Sequence, residues 1–360
     1  MSSAISEAPR AALAADFPRV RFGSAYIVSP LYDWFWFLLP PVLALGLGFA
    51  IHGLSINHDE FVFWNQDVTA TGLFLGILIH AHIVIVLFRS HGNPQIYKLH
   101  PGRFIAVPIL LYVLMNASMW ILVSVSVLAT FWDVYHSGMQ TFGFARIYDR
   151  KIGNDALVGR RLDWALNQLL YAGPIFAGAT MMDHVEDFEE YEAVGSAFFP
   201  SIPGFMAAHR PYLSWPILVG GTLFLAYYGL SQWRMHQAGR QVSVQKTYLL
   251  VSTGLVSIYT WGFNTWGEAF FIMNVFHAVQ YFGLVWATEK SNIVRICRLD
   301  GRRFAIPIAL GVLVGTGIVY GYFVEAVNPD VNQLWSLVLV MSIMHFWYDG
   351  FIWSVQKKQV

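Results

Sequence analysis

Charge is scarce in this sequence: 12% of its 360 residues are Asp, Glu, Lys or Arg, against about 25% in soluble chains. With 56% hydrophobic residues and a mean hydropathy of +0.50, the composition argues for a membrane protein rather than two water-soluble domains. Net charge is missing as well, because 22 basic and 22 acidic residues cancel, so no field gathers nucleic acid. The single cysteine, Cys297, excludes an internal disulfide and any Cys-x-x-Cys metal or redox pair. There is no Walker loop, no Gly-x-Ser-x-Gly elbow and no His-Glu-x-x-His helix. The His-x-x-x-His and His-x-x-His-His boxes of desaturases and alkane hydroxylases are absent too. The first thirty residues hold Arg10, Arg19 and Arg21 but no apolar run leading to a cleavage site, so they read as a cytoplasmic tail rather than a signal peptide.

What the sequence does have is long apolar runs. A spanning helix takes about 20 apolar residues, and candidates run near 31–51, 69–88, 162–182, 213–232, 304–324 and 333–353. Two further stretches, Phe104 to Ala145 and Thr247 to Thr288, are each 42 residues long with one charged residue, Asp133 or Glu268. Either is long enough for a hairpin of two spans. Basic residues concentrate in short cytoplasmic loops, and with two hairpins 21 of the 22 Lys and Arg residues fall on one side, Arg210 alone lying opposite. The expected architecture is an all-α, polytopic transmembrane helix bundle of about ten spans. Residues 31–353 form its single domain, and tails 1–30 and 354–360 are both cytoplasmic.

The opposite side carries acidic loops: 52–68 with Asp59, Glu60 and Asp67, and 183–212 with six carboxylates beside His184. A solvated loop explains these. Glycines 311, 315, 317 and 321 form small-xxx-small pairs suited to close helix packing. Asn116-Ala-Ser matches a glycosylation acceptor in letters only, inside an apolar run.

Ionisable residues within a membrane are costly, and each is a functional-site hypothesis. Here they recur: Ile79-His80-Ala81-His82, His136 with Gln140, His277 with Gln280, and His345 with Asp349. His82, His136, His345 and His277 lie seven, ten, twelve and thirteen residues from the nearest basic residue beyond the span, or roughly 10–20 Å of helix. Four spans therefore place a histidine at similar depth, which predicts one site. His80 and His82 point about 200° apart on a regular helix, so only one faces it. Gln140, Gln280 and Asp349 share a helix face with their histidines and can orient a ring or, for Asp349, ligate. Asp133, one turn before His136, is a further candidate, and His91 lies at the membrane edge.

Imidazoles with a carboxylate suit iron, another transition metal such as zinc, copper or manganese, or, as two axial histidines, a haem. A lipophilic small-molecule substrate would enter from the membrane lipid, past the aromatics beside the histidines: Tyr135, Phe276, Tyr281, Trp347 and Tyr348. A haem- or pigment-binding subunit of a membrane complex and a proton-coupled transporter are the other classes consistent with buried histidines, and homo-oligomers fit either. Nucleic acid is not an expected partner.

One of His80/His82, His277, and His345-x-x-x-Asp349 resemble the corresponding segments of the Brp/Blh-type bacterial β-carotene dioxygenases. The matching positions cover short segments of four spans, and the early His-Gly-x-x-Asp segment of that family is missing, since His52-Gly53-Leu54 lacks the aspartate. The resemblance implies a polytopic membrane protein holding non-haem iron on histidines and cleaving a carotenoid with dioxygen. Apolarity along the full length with no soluble domain suits a bacterial inner membrane.

Overall fold

The computed structural model describes residues 25–64 and 66–353. The expected C-terminal tail and most of the N-terminal one lie outside that range. Residues 27–29 are not a loose tail, because their N–H groups donate to the Asp33 carboxylate, which also accepts from the Tyr148 hydroxyl at 3.0 Å.

The protein is almost entirely helical. The helices are α1 (Pro30–Asp33), α2 (Pro40–Ile51), α3 (Ala70–Val84), α4 (Val86–Ser90), α5 (Pro94–Leu99), α6 (Pro101–Ala117) and α7 (Met119–Lys151). After these come α8 (Arg160–Ala177), α9 (Met181–Val185), α10 (Ile202–Gln237), α11 (Val244–Phe263), α12 (Trp266–Ile296), α13 (Ala305–Glu325) and α14 (Asn332–Ile352). A short antiparallel hairpin, β1 (Glu60–Phe63) with β2 (Gln66–Thr69), pairs Glu60 with Thr69. It sits at the end of the bundle that carries the acidic loops.

Both 42-residue stretches break in the middle. Ser118 is extended between α6 and α7, and Asn264 and Thr265 are extended between α11 and α12. Among the described residues, six helical segments are long and apolar enough to cross a membrane, or seven if Pro30–Ile51 counts as one span bent by 50°. That bend falls where a π-helical turn at Trp34–Leu38 meets Pro40 and Pro41, which cannot donate to the preceding turn. The ten expected spans thus include three that fall below this measure: α6 is 17 residues long, while α8 and α11 are too polar. α8 opens with Arg160, Arg161 and Asp163, and α11 carries Lys246 and a row of Ser and Thr.

Those polar residues have internal work. Arg146 of α7 and Lys246 of α11 lie between Asp149 and Asp163: Arg146 Nη1 is 2.9 Å from Asp149, and Lys246 Nζ is 2.8 Å from each carboxylate. Arg240 joins Asp149, and the Tyr228 hydroxyl donates to Asp163 at 2.8 Å. A second buried pair, Arg89 with Glu289 at 2.6 Å, links α4 to α12. Charges expected simply in loops therefore tie the helix ends together at the basic end of the bundle.

α12 is the central element, with 78% of its apolar window buried, whereas α10 is peripheral at 6%. Large apolar side chains are exposed along α6, α10 and α13, a surface suited to lipid rather than water. α13 lies against α3 through two of the four expected packing glycines. A Cβ at Gly321 would come 2.3 Å from the Ile77 carbonyl oxygen, and one at Gly317 would come 3.0 Å from the Ala81 Cβ. Gly311 and Gly315 face open space instead. Their pair repeats the spacing but lies on the wrong face.

Candidate metal centre

α3, α7, α12 and α14 each bring one histidine to the same point. His82, His136, His277 and His345 are all buried, and one ring nitrogen from each lies within 4.8 Å of the others. Neighbouring ring centroids are 4.7–5.1 Å apart. The equal depth expected from the sequence is thus realised as direct contact between helices distant in the chain. Metal–nitrogen bonds run about 2.0–2.1 Å, so the four rings would hold a single ion after closing inward.

The hydrogen bonding of the rings is the unusual feature. His345 Nε2 lies 3.0 Å from His136 Nε2. Both ring nitrogens of His82, both of His277, and Nδ1 of His345 are buried with no hydrogen-bond partner of acceptable geometry among the described residues. Each such orphan costs about 1–3 kcal/mol. Native proteins explain such groups by strain, bound water or a bound ion. One nitrogen from each ring faces the others, and those of His82 and His277 have no hydrogen-bond partner among the described residues, as ligands of one ion would.

Asp349 stands beside the cluster. Its Oδ2 is 3.8 Å from His136 Nε2 and 3.9 Å from His345 Nε2. Its Oδ1 is held by the Tyr281 hydroxyl at 2.9 Å and the Trp353 indole N–H at 2.8 Å. One oxygen is therefore fixed and the other faces the histidines.

Several expected residues lie elsewhere. His80 turns away from the cluster, as the 200° argument requires of one of the pair, and its Nδ1 lies 2.8 Å from Gly76 O and 3.3 Å from Glu325 Oε1. Gln140 and Gln280 do not touch a histidine ring: Gln140 Nε2 donates to the His277 carbonyl and to Gln280 Oε1, both at 3.1 Å, and Gln280 donates to Phe37 O. Their amides fix the α7–α12 contact rather than a tautomer. His91 bonds Ser90 and the Phe104 carbonyl, a packing role, and burial holds its pKa below the ordinary value. His184 is likewise committed to Thr180 O between Trp261 and Trp266.

A cavity of about 980 Å³ runs from the acidic end toward the cluster. Its deepest lining residues are Ile83, Ser137 and Phe346, each adjacent in sequence to a cluster histidine, and Asn274, three residues before His277. None of the five expected aromatics lines this cavity. Tyr135 is exposed on the outer face of α7, Phe276 is core, and Tyr281 holds Asp349. Trp347 and Tyr348 pack against Phe351. The lining instead comes from positions set back from the histidines toward the acidic end, Asp133 among them; sequence alone ties residues to a histidine by adjacency, which does not reveal which way they face.

A haem fits this arrangement poorly. If two of the imidazoles were axial ligands, the macrocycle would occupy the space where the other two stand. Comparisons with protein-family models, with curated proteins and with solved structures gave no match to this chain.

Proposed function

We propose that this integral membrane protein is a metalloenzyme that holds one transition ion, iron, on His82, His136, His277 and His345 and performs oxygen chemistry on a lipophilic substrate. The observation carrying the reading is the convergence of one nitrogen from each of four buried histidines, with both ring nitrogens of His82 and of His277 lacking a hydrogen-bond partner among the described residues. Imidazole and carboxylate donors suit iron, and open positions beside them are where oxygenases bind their second reactant. Iron bound there would supply dioxygen activation.

The chain's own residues set the conditions. The four rings hold the ion at fixed height, and the carboxylate of Asp349, pinned by Tyr281 and Trp353, is placed to accept a proton beside His136 and His345. Ile83 and Phe346 close the cavity floor and keep bulk water away. The same reading takes the helices as ten spans with the basic end cytoplasmic, in a bacterial inner membrane. The resemblance of His82, His277, His345 and Asp349 to the Brp/Blh-type dioxygenases points the same way.

The test is nitric oxide binding to the ferrous protein, prepared anaerobically and followed by electron paramagnetic resonance. A high-spin ferrous nitrosyl signal near stoichiometry, lost in His277→Ala and kept in His80→Ala, is the expected result. Iron that binds but gives no nitrosyl adduct would refute an open oxygen position.

A further inference from the structure

The cavity above the histidines carries a polar stripe along α7. Ser126, Thr130, Asp133 and Ser137 of α7 all line it, and their spacing of four, three and four residues puts them on one helix face. The facing walls are mostly apolar, with Ile79 from α3, Phe270 and Met273 from α12 and Val338 from α14, interrupted by His80, Asn274 and Ser342. At the mouth lie Asp187 and Glu268, the latter paired with His52.

No Lys or Arg lines the cavity among the described residues. Its ionisable lining is three carboxylates, Asp133, Asp187 and Glu268, and the histidines His52, His58, His80 and His184. A fatty acid or a phosphate head would meet like charge with no Lys or Arg to offset it. An ammonium head would have to shed its water deep in the bundle, which is costly. A hydroxyl has neither difficulty, since it stays neutral, donates to a carboxylate and exchanges hydrogen bonds with Ser and Thr. The volume, about 980 Å³, lies at the top of the roughly 300–1,000 Å³ range of small-molecule sites, which suits a long chain rather than a small solute.

We infer that the cavity binds a long-chain lipophile bearing an uncharged hydroxyl, laid along the Ser126–Ser137 face of α7 with its chain against α3, α12 and α14 and one end over the histidines. As a substrate it rests on the metalloenzyme reading; as a binding site it does not.

Trp261, Trp266 and Trp335 line the cavity, so bromine on a bound chain quenches their fluorescence. The experiment titrates the detergent-purified full chain at about pH 8, where a carboxylic acid is ionised and an amine protonated. The probes are 9,10-dibromo-octadecanol, the matching acid and the matching amine. The alcohol is expected to quench saturably, with acid and amine binding at least about tenfold more weakly. Asp133→Asn is expected to narrow the gap between alcohol and acid. Ala129→Phe, which fills the cavity from α7, removes the saturable phase, and Ser342→Phe repeats that test from α14. Equal or tighter binding of acid or amine, or undiminished quenching in both filled variants, overturns the inference. Metal content measured on the same samples keeps the two readings apart: the filled variants retain the ion, and a wild type without metal that still prefers the alcohol contradicts only the metalloenzyme.

Discussion

Tyr281 donates its hydroxyl proton to Oδ1 of Asp349 at 2.9 Å while its ring packs 4.8 Å from that of His345. One side chain thus touches a cluster histidine and orients the carboxylate next to it. Tyr281→Phe keeps the ring and removes the orienting bond. Partners one layer out from a metal are worth about 10–100-fold in affinity, so the variant should bind its ion more weakly by that order while folding normally. Chelator competition measures it; unchanged affinity would make Tyr281 a packing residue only.

His80 and His82 are two residues apart, yet only His82 joins the cluster. His82→Ala should empty the site of metal, and His80→Ala should leave metal content near the wild-type level. Elemental analysis of the two purified variants decides this. Equal losses would mean that α3 turns in a way that shares both rings with the ion.

The two glycine pairs of α13 make a paired stability test. Gly321→Ala drives a methyl group against the Ile77 backbone, where a Cβ would be 2.3 Å from the carbonyl oxygen, and overpacking of this kind costs about 1–3 kcal/mol. Gly315→Ala meets nothing within 4 Å and should stay within about 0.5 kcal/mol. Denaturation in mixed detergent micelles separates them. A Gly321→Ala protein as stable as the wild type would contradict the close approach of α3 and α13.

The buried charges at the basic end should be sensitive to removal of one sign. Asp163→Asn leaves Arg146 and Lys246 facing Asp149 with one carboxylate fewer, and breaking such a network costs about 3–5 kcal/mol. The same substitution at Asp59, which is exposed in the 52–59 connection, should cost little. Thermal unfolding of both variants provides the comparison.

His184, in α9 outside the membrane helices, predicts a pH effect. Burial holds its pKa below the ordinary 6.5, although Thr180, Asp183 and Asp187 favour the charged form. The unfolded chain therefore binds a proton that the folded one refuses. This contribution to stability is complete above about pH 6.5 and is lost as pH falls from there toward the folded value. Glu190 works in the opposite sense, because burial raises its carboxyl. Comparing the pH slope of the unfolding midpoint in wild type and His184→Gln cancels that term. The wild type should lose more stability on acidification, and parallel slopes would contradict the assignment.

Much of this was legible in the sequence, for physical reasons. Membrane depth converts sequence distance into height at a fixed rise per residue, so four histidines offset from basic residues by similar counts could be placed at one level before any contact was known. The angular argument separated His80 from His82 in kind, though not in identity. What adjacency cannot supply is direction across the bundle. Tyr135 is next to His136 and points outward, whereas Ile83 and Phe346, equally close to their histidines, point into the cavity. The Arg146–Asp163–Lys246 network was hidden for a related reason: its members lie up to 100 residues apart, and in sequence Arg146 and Lys246 look like ordinary loop charges. The polar character of α8 and α11 follows from this network, which is why hydropathy alone undervalues both.

The central claim is that one transition ion sits on four histidines. Metal analysis with an optical spectrum on the purified protein, wild type against His345→Ala, tests it most directly. The account predicts close to one iron per chain with no Soret band in the wild type, and loss of that iron in the variant. A protein without transition metal, a haem or pigment band, or iron retained after His345→Ala would contradict it.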